Sequence, residues 1–334
     1  MSNQEWLDLH QEEILDPELP ICDPHHHLWH VERLDYRVEV LLDDIGRGHN
    51  VQSTVYIECG QGYRSDAPAG MAPVGENEFV LAELARVPDA PVRVAEGIVA
   101  HADLRLGAAV AEVLQAHREA SGGRLRGIRH ANAWDSSEAI SNSHSGSGPY
   151  LLADPKFREG FAQLARHDLA FDAWLYQQQI PELTSLARAF PDTRIVFDHL
   201  GGPLLRGPWA EHRDAVFARW HEAVAELAEC PNVYAKLGGA AMAMNGFDWH
   251  KRERPPTSEQ FADFYRGWFR HCIERFTPQR CMYESNFPMD RTSVSYPVLW
   301  NAFKRISAED SADERARLFF GTAAEVYRLR GPAS

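Results

Sequence analysis

The chain has 334 residues, is 44% hydrophobic, and carries a formal net charge of −14, from 34 Lys and Arg against 48 Asp and Glu. That acidity argues against nucleic acid or an anionic membrane surface as a partner, while leaving room for a small anionic substrate met by a local arginine. The five cysteines (Cys22, Cys59, Cys230, Cys272, Cys281) are odd in number and form no C-x-x-C pair. A polar, acidic N-terminus and the lack of any long apolar run complete the expectation of a reduced, cytoplasmic protein without signal peptide or membrane span.

Eight β-rich runs follow one another along the chain: Ile21 to His27, Ser53 to Glu58, Val92 to Ala100, Leu125 to Ala131, Ala170 to Tyr176, Arg194 to His199, Val233 to Lys236 and Arg280 to Ser285. Amphipathic stretches lie between them: Glu78 to Arg86, Ala108 to Ala120, Lys156 to His167, Ile180 to Ala189, Arg213 to Glu229 and Ser258 to Phe276. A last one, Asp313 to Leu329, closes the chain. Strand and helix in alternation imply a parallel sheet, and eight such strands predict a (β/α)8 TIM barrel. We expect a single domain over 1–334, with 1–19 as an N-terminal extension. An open doubly wound sheet would need a glycine-rich phosphate loop after the first run, where Asp23-Pro24-His25-His26-His27 stands instead.

In such a barrel the active site forms at the C-terminal ends of the strands, and the chemically loaded residues fall there. His25 and His27 end run one, Glu58 run two, Asp198 and His199 run six, Lys236 run seven, and Glu284 and Asn286 run eight. Arg129 and His130 lie late in run four, and Gln177 follows run five. His25 and His27 are two apart, so on a strand they leave the same face, and an H-x-H pair presents two imidazoles to one ion. His26 is turned the other way and is read as structural. Three long loops leave the same face: Gln61 to Asn77, Ala133 to Pro149, and Met242 to Thr257. They are read as a lid, as specificity loops, or as variable surface.

The chain resembles the amidohydrolase superfamily, and within it the lactonase-like branch of "amidohydrolase-related" barrel hydrolases. The resemblance covers nearly the whole chain. It rests on Asp23-Pro24-His25-His26-His27-Leu28-Trp29, Arg126-Gly127-Ile128-Arg129-His130, Phe171-Asp172-Ala173-Trp174-Leu175-Tyr176, Phe197-Asp198-His199-Leu200-Gly201-Gly202-Pro203, Val233-Tyr234-Ala235-Lys236-Leu237 and Glu284-Ser285-Asn286-Phe287-Pro288. It implies a divalent metal, zinc or manganese, on His25, His27 and His199, and a homodimer. Two positions depart from the family pattern. Gln177 stands where a histidine is usual and Asn286 where the water-activating aspartate is usual, and an amide cannot take a proton at neutral pH. The site is therefore expected to work with a metal or without one.

Glu284, two before Asn286 and on the same side of a strand, is the expected acid/base, with Asp290 behind it and His199 beside it. The alternative for Glu284 is a structural carboxylate paired with Lys236 or Arg129. Arg129, His130, Lys236, Tyr176 and Asn286 are expected to contact substrate; Arg129 would hold a carboxylate by a bidentate contact. Asp198 is expected to orient a neighbour, and Cys22 and Cys59 to fill apolar space. The activity expected is hydrolysis of a small ester-like bond, most simply a lactone, because an alkoxide leaves more readily than an amine. A decarboxylase of aromatic or enol acids and a non-catalytic ligand-binding relative are the alternatives.

Overall fold

The computed structural model of the protein describes residues 2–32 and 34–333. Eight parallel strands, each paired with the next in sequence, form the sheet: β1 (Ile21–His26), β2 (Val51–Ile57), β3 (Arg93–His101), β4 (Leu125–Arg129), β5 (Ala170–Ala173), β6 (Ile195–Phe197), β7 (Val233–Leu237) and β8 (Cys281–Tyr283). The sheet closes on itself above β8, where the Asn286 amide donates to the His25 carbonyl (2.9 Å) and the His27 amide to that of Phe287 (2.8 Å). The predicted (β/α)8 barrel is the observed fold. All eight strands were legible, with ends displaced by a few residues.

A helix follows each strand: α1 (Val38–Ile45), α2 (Gly75–Leu84), α3 (Val110–Ala120), α4 (Pro155–Arg166), α5 (Ile180–Ala189), α6 (Arg213–Leu227), α7 (Ser258–Phe276) and α8 (Tyr296–Ile306). The sequence reading missed two of them. α1 is short and begins with Val-Glu-Val, which reads as strand. α8 buries nine of its eleven residues and so lacks the polar stripe by which a surface helix is recognised. None of the helices among the described residues is long and apolar enough to cross a membrane.

Strand period sorts the barrel interior into two layers. Cys22, Val55, Val99, Ala170, Val196 and Met282 face inward at the lower level and form one apolar cluster. Two residues further along β5, β6 and β8, the inward positions become Asp172, Asp198 and Glu284, all fully buried. The C-terminal segment plugs the bottom. Phe320, Ala323, Val326 and Tyr327 join the lower cluster, and the Tyr327 hydroxyl donates to Asp172 Oδ2 at 2.7 Å. Residues 3–7 form a short helix, and the extension packs on the body through Trp6 Nε1 to the Arg252 carbonyl (3.0 Å) and the Leu15 amide to Asn301 Oδ1 (2.9 Å).

The plug carries core stability rather than serving as a tail. Phe320→Ala is expected to cost roughly 3–5 kcal/mol and to lower the thermal midpoint by several degrees. An unchanged midpoint would show the segment to be peripheral.

Candidate active site

His27 lines a cleft at the C-terminal end of the barrel, and His25 lies fully buried beside it. His25 Nε2 and His27 Nε2 lie 3.2 Å apart. His27 Nδ1 meets the Ile57 carbonyl at 2.8 Å, which makes Nδ1 the protonated nitrogen and leaves Nε2 with its lone pair. His26 is turned outward to Thr54 Oγ1 (2.9 Å), as the pleat requires.

Glu284 stands behind both catalytic-face histidines. Its Oε1 is 2.6 Å from His199 Nδ1 and its Oε2 is 2.9 Å from His25 Nδ1. Burial pushes its carboxyl up to about 8, against the pull of Lys236. Burial also holds His25 and His27 well below the ordinary imidazole range and brings His199 down to about 3. The Leu200-Gly201-Gly202 turn after β6 makes this approach feasible. His199, Leu200, Gly201 and Gly202 all have positive φ, and a side chain at Gly239 would meet the His199 ring.

Lys236 and Arg129 are tied down elsewhere. Lys236 Nζ donates to Asp172 Oδ2 (2.6 Å) and lies 3.2 Å from Asp198 Oδ1. Arg129 Nε donates to Glu58 Oε1 at 2.7 Å and Nη2 to the Glu58 carbonyl, while Nη1 is 3.4 Å from His25 Nε2. Burial works to raise the Glu58 carboxyl, and Arg129 with His144 outweighs it and keeps the group ionised. His144, from the loop after β4, reaches Glu58 Oε2 at 3.0 Å. The sequence reading did not single it out, although a lone histidine in a Ser- and Gly-rich loop leaving the active face was the available signal.

Several expectations require correction. His130 is fully buried against Phe157 and accepts from the Leu104 amide (3.2 Å), so it belongs to the wall between barrel and helix. Tyr176 donates to the Ser141 carbonyl and packs with Ala133, Ile140 and Leu204, bracing a loop away from the cleft. Gln177 accepts from the Leu204 amide at 2.9 Å and is turned from the histidines. Asp290 is fully buried behind Asn286, whose Nδ2 donates to it at 3.0 Å, and the Ala241 amide donates to its other oxygen at 3.1 Å. Lys236 partners Asp172 rather than substrate, while Arg129 gives Nε and Nη2 to Glu58 and still lines the cleft. Cys22 fills apolar space as expected, whereas Cys59 is half-buried at the cleft edge.

The cleft holds about 180 Å³. His27, Arg129, His144, His199 and Asn286 supply its polar wall, and two tryptophans, three methionines and Cys59 the rest.

A divalent ion fits part of this donor set. Two nitrogens at about 2.0–2.1 Å from one tetrahedral zinc stand roughly 3.3 Å apart, close to the His25–His27 separation of 3.2 Å. Among the described residues, the donor atoms of His25, Asp198 and His199 also lie within 4.8 Å of one another, and both buried Asp198 oxygens lack a hydrogen-bond partner, although Lys236 Nζ stands 3.2 Å from one of them.

The amidohydrolase family profile matches residues 22–329, and the chain belongs to that family. Protein y4mH of Sinorhizobium fredii is 30% identical over 93% of this chain and 99% of its own length. An L-fucono-1,5-lactonase of Burkholderia multivorans is 28% identical over 93% of this chain and 97% of its own. The crystal structure of a B. multivorans amidohydrolase with bound zinc shares the fold at a TM-score of 0.69 and 24% identity, covering 93% of this chain and 99% of that one. The chain is a hydrolase of the lactonase-like branch of the amidohydrolases.

Burial pushes Asp290 up to about 8 from an ordinary value of 3.8, against its donors Ala241 and Asn286. A raised acid holds its proton in the folded state. Its stabilising contribution is full below about pH 4 and is lost as pH rises through about 8. Asp290→Asn should therefore flatten the fall in unfolding free energy between about pH 4 and about pH 8. Parallel wild-type and variant profiles would show that Asp290 is ionised throughout.

Proposed function

We propose that this protein hydrolyses a lactone, with His199 as the group that moves protons and Glu284 as the carboxylate that positions it. The observation that carries the reading is the 2.6 Å contact between His199 Nδ1 and a Glu284 with no exposure to solvent. With Nδ1 held by the carboxylate, Nε2 is the nitrogen left for the cleft, which His199 lines.

Water attacks the lactone carbonyl carbon as His199 Nε2 takes one of its protons. A C–O bond forms and the carbonyl oxygen gains negative charge. Arg129 Nη1, the one end of that guanidinium not committed to Glu58, faces the floor where this charge develops. Collapse then breaks the bond from carbonyl carbon to ring oxygen, and the ring oxygen takes the proton from His199. One lactone and one water become one hydroxy acid, and His199 returns neutral. In the ionised form of Glu284, which grows in as pH rises towards about 8, its charge stabilises the imidazolium between the two transfers and its contact fixes the ring plane.

His25 and His27 are the residues that would hold a divalent ion, zinc or manganese, through Nε2. Such an ion would supply a Lewis acid for the carbonyl oxygen. The histidine pair is oriented from behind by Glu284 and the Ile57 carbonyl whether or not an ion is present. The substrate is a small molecule in this reading. The lactonase relatives and the His199–Glu284 dyad favour hydrolysis over decarboxylation, which would release CO2.

Glu284→Gln keeps the shape and removes the charge, and is expected to lower kcat on the best lactone by on the order of 10³ with KM little changed. Asp290→Asn should stay within about tenfold of wild type. Reversal of that ranking would move the base to Asp290. Metal uptake tests the ion pair separately from activity. Wild type and His199→Ala should bind about one equivalent of zinc or manganese, and His25→Ala and His27→Ala should not. Loss of uptake in His199→Ala would make His199 a ligand and overturn its role as proton acceptor.

A further inference from the structure

The lining of the cleft speaks to the body of the substrate rather than to its reacting bond. Trp29, Cys59, Trp174, Met242, Met244 and Met289 make up its apolar wall. The methionines come from the loops after β7 and β8, and Met289 is 40% exposed at the rim. Flexible thioethers beside two indoles form a surface that adapts to flat or aliphatic rings.

Each polar side chain of the lining already gives one of its atoms to the protein. His27 is bonded to Ile57, His144 to Glu58, His199 to Glu284, and the Asn286 amide nitrogen to Asp290. Arg129 is the one lysine or arginine among the described residues lining the cleft, and Glu58 neutralises it. What remains unpaired on the floor is needed by the carbonyl and the attacking water. A ring carrying several hydroxyls would bury most of them against thioethers and indole faces with few partners, which is costly. A substrate carboxylate would find only Arg129 Nη1, which already faces the reacting carbonyl.

We propose that the cleft selects neutral lactones with an apolar or aromatic ring body, and discriminates against polyhydroxylated sugar lactones and against lactones bearing a carboxylate. This rests on the lactone-hydrolysis reading and narrows it. It departs from what the names of the L-fucono-1,5-lactonase relatives would suggest if carried over unchanged.

The test measures kcat/KM for dihydrocoumarin and an alkyl-substituted δ-lactone against L-fucono-1,5-lactone and glucono-1,5-lactone. Each value is divided by that lactone's uncatalysed rate, so that intrinsic reactivity drops out. A preference for the apolar pair of about 100-fold is expected. Met244→Ala and Met289→Ala, at partly exposed positions, should each lower it several-fold, mostly through KM, with the far-UV circular dichroism and thermal midpoint of each variant checked against wild type. Equal or faster turnover of the sugar lactones would overturn the proposal and leave the lactonase reading standing. If no lactone is hydrolysed, the lactonase reading fails, and quenching of tryptophan fluorescence then decides the proposal alone. Saturable quenching by coumarin but not by glucono-1,5-lactone would uphold the apolar selectivity, and its absence would overturn that as well.

Discussion

One carboxylate, cut off from water, holds two imidazoles from different strands in register. Glu284 reaches His25 on β1 with one oxygen and His199 at the end of β6 with the other. These contacts cross the barrel mouth, so the cleft floor is a property of the closed barrel rather than of any loop. Asn286 and Phe287 are hydrogen-bonded to the backbone of β1 just beyond Glu284. The closure that joins the last strand to the first therefore also sets the Glu284–His25 contact.

Around this contact lies a small buried charge system. Two cations, Lys236 and Arg129, face four carboxyl groups, Glu58, Asp172, Asp198 and Glu284. Taking that many charges from water is expensive, and their mutual attraction returns the cost only where the geometry is close. Arg129–Glu58 and Lys236–Asp172 meet that condition. Asp198 and Glu284 are left with the weaker share, and burial raises both, to about 6 and about 8. The carboxyls that hold their protons most readily thus sit beside the histidines. Removing either cation would leave a buried carboxylate without its partner, a larger loss than the pair contributes.

The fold was legible because strand period and helix period alternate so regularly, and because loaded residues stand at the strand ends. Asp172, Asp198, Lys236 and Glu284 each follow an inward residue by two positions, so their convergence on the barrel axis could be read before any coordinates. What could not be read was pairing within that layer. Arg129 looked like a substrate clamp until Glu58 was seen to fill its fork, and His130, next in sequence, points by the pleat into the wall. Tyr176 and Gln177 lie past the end of β5, where the strand rule no longer governs direction. The cleft's character was least legible. Met242, Met244 and Met289 sit in loops whose path no periodicity describes, and methionine in a loop carries no motif.

The same accounting connects the charge system to the substrate. A site that spends its arginine internally cannot also use it to recognise an anion, since the guanidinium has two edges and Glu58 takes the better one. Yet Glu58 is what lets Arg129 stay charged while buried beside the histidines. With His144 folded onto the second oxygen of Glu58, the loop after β4 closes one side of the cleft with an ion pair and leaves the indoles and thioethers to form the other. Stability of the charged floor and selectivity of the mouth are then consequences of one commitment. The charged groups on that side of the cleft, Arg129, Glu58 and His144, are paired to one another before substrate arrives.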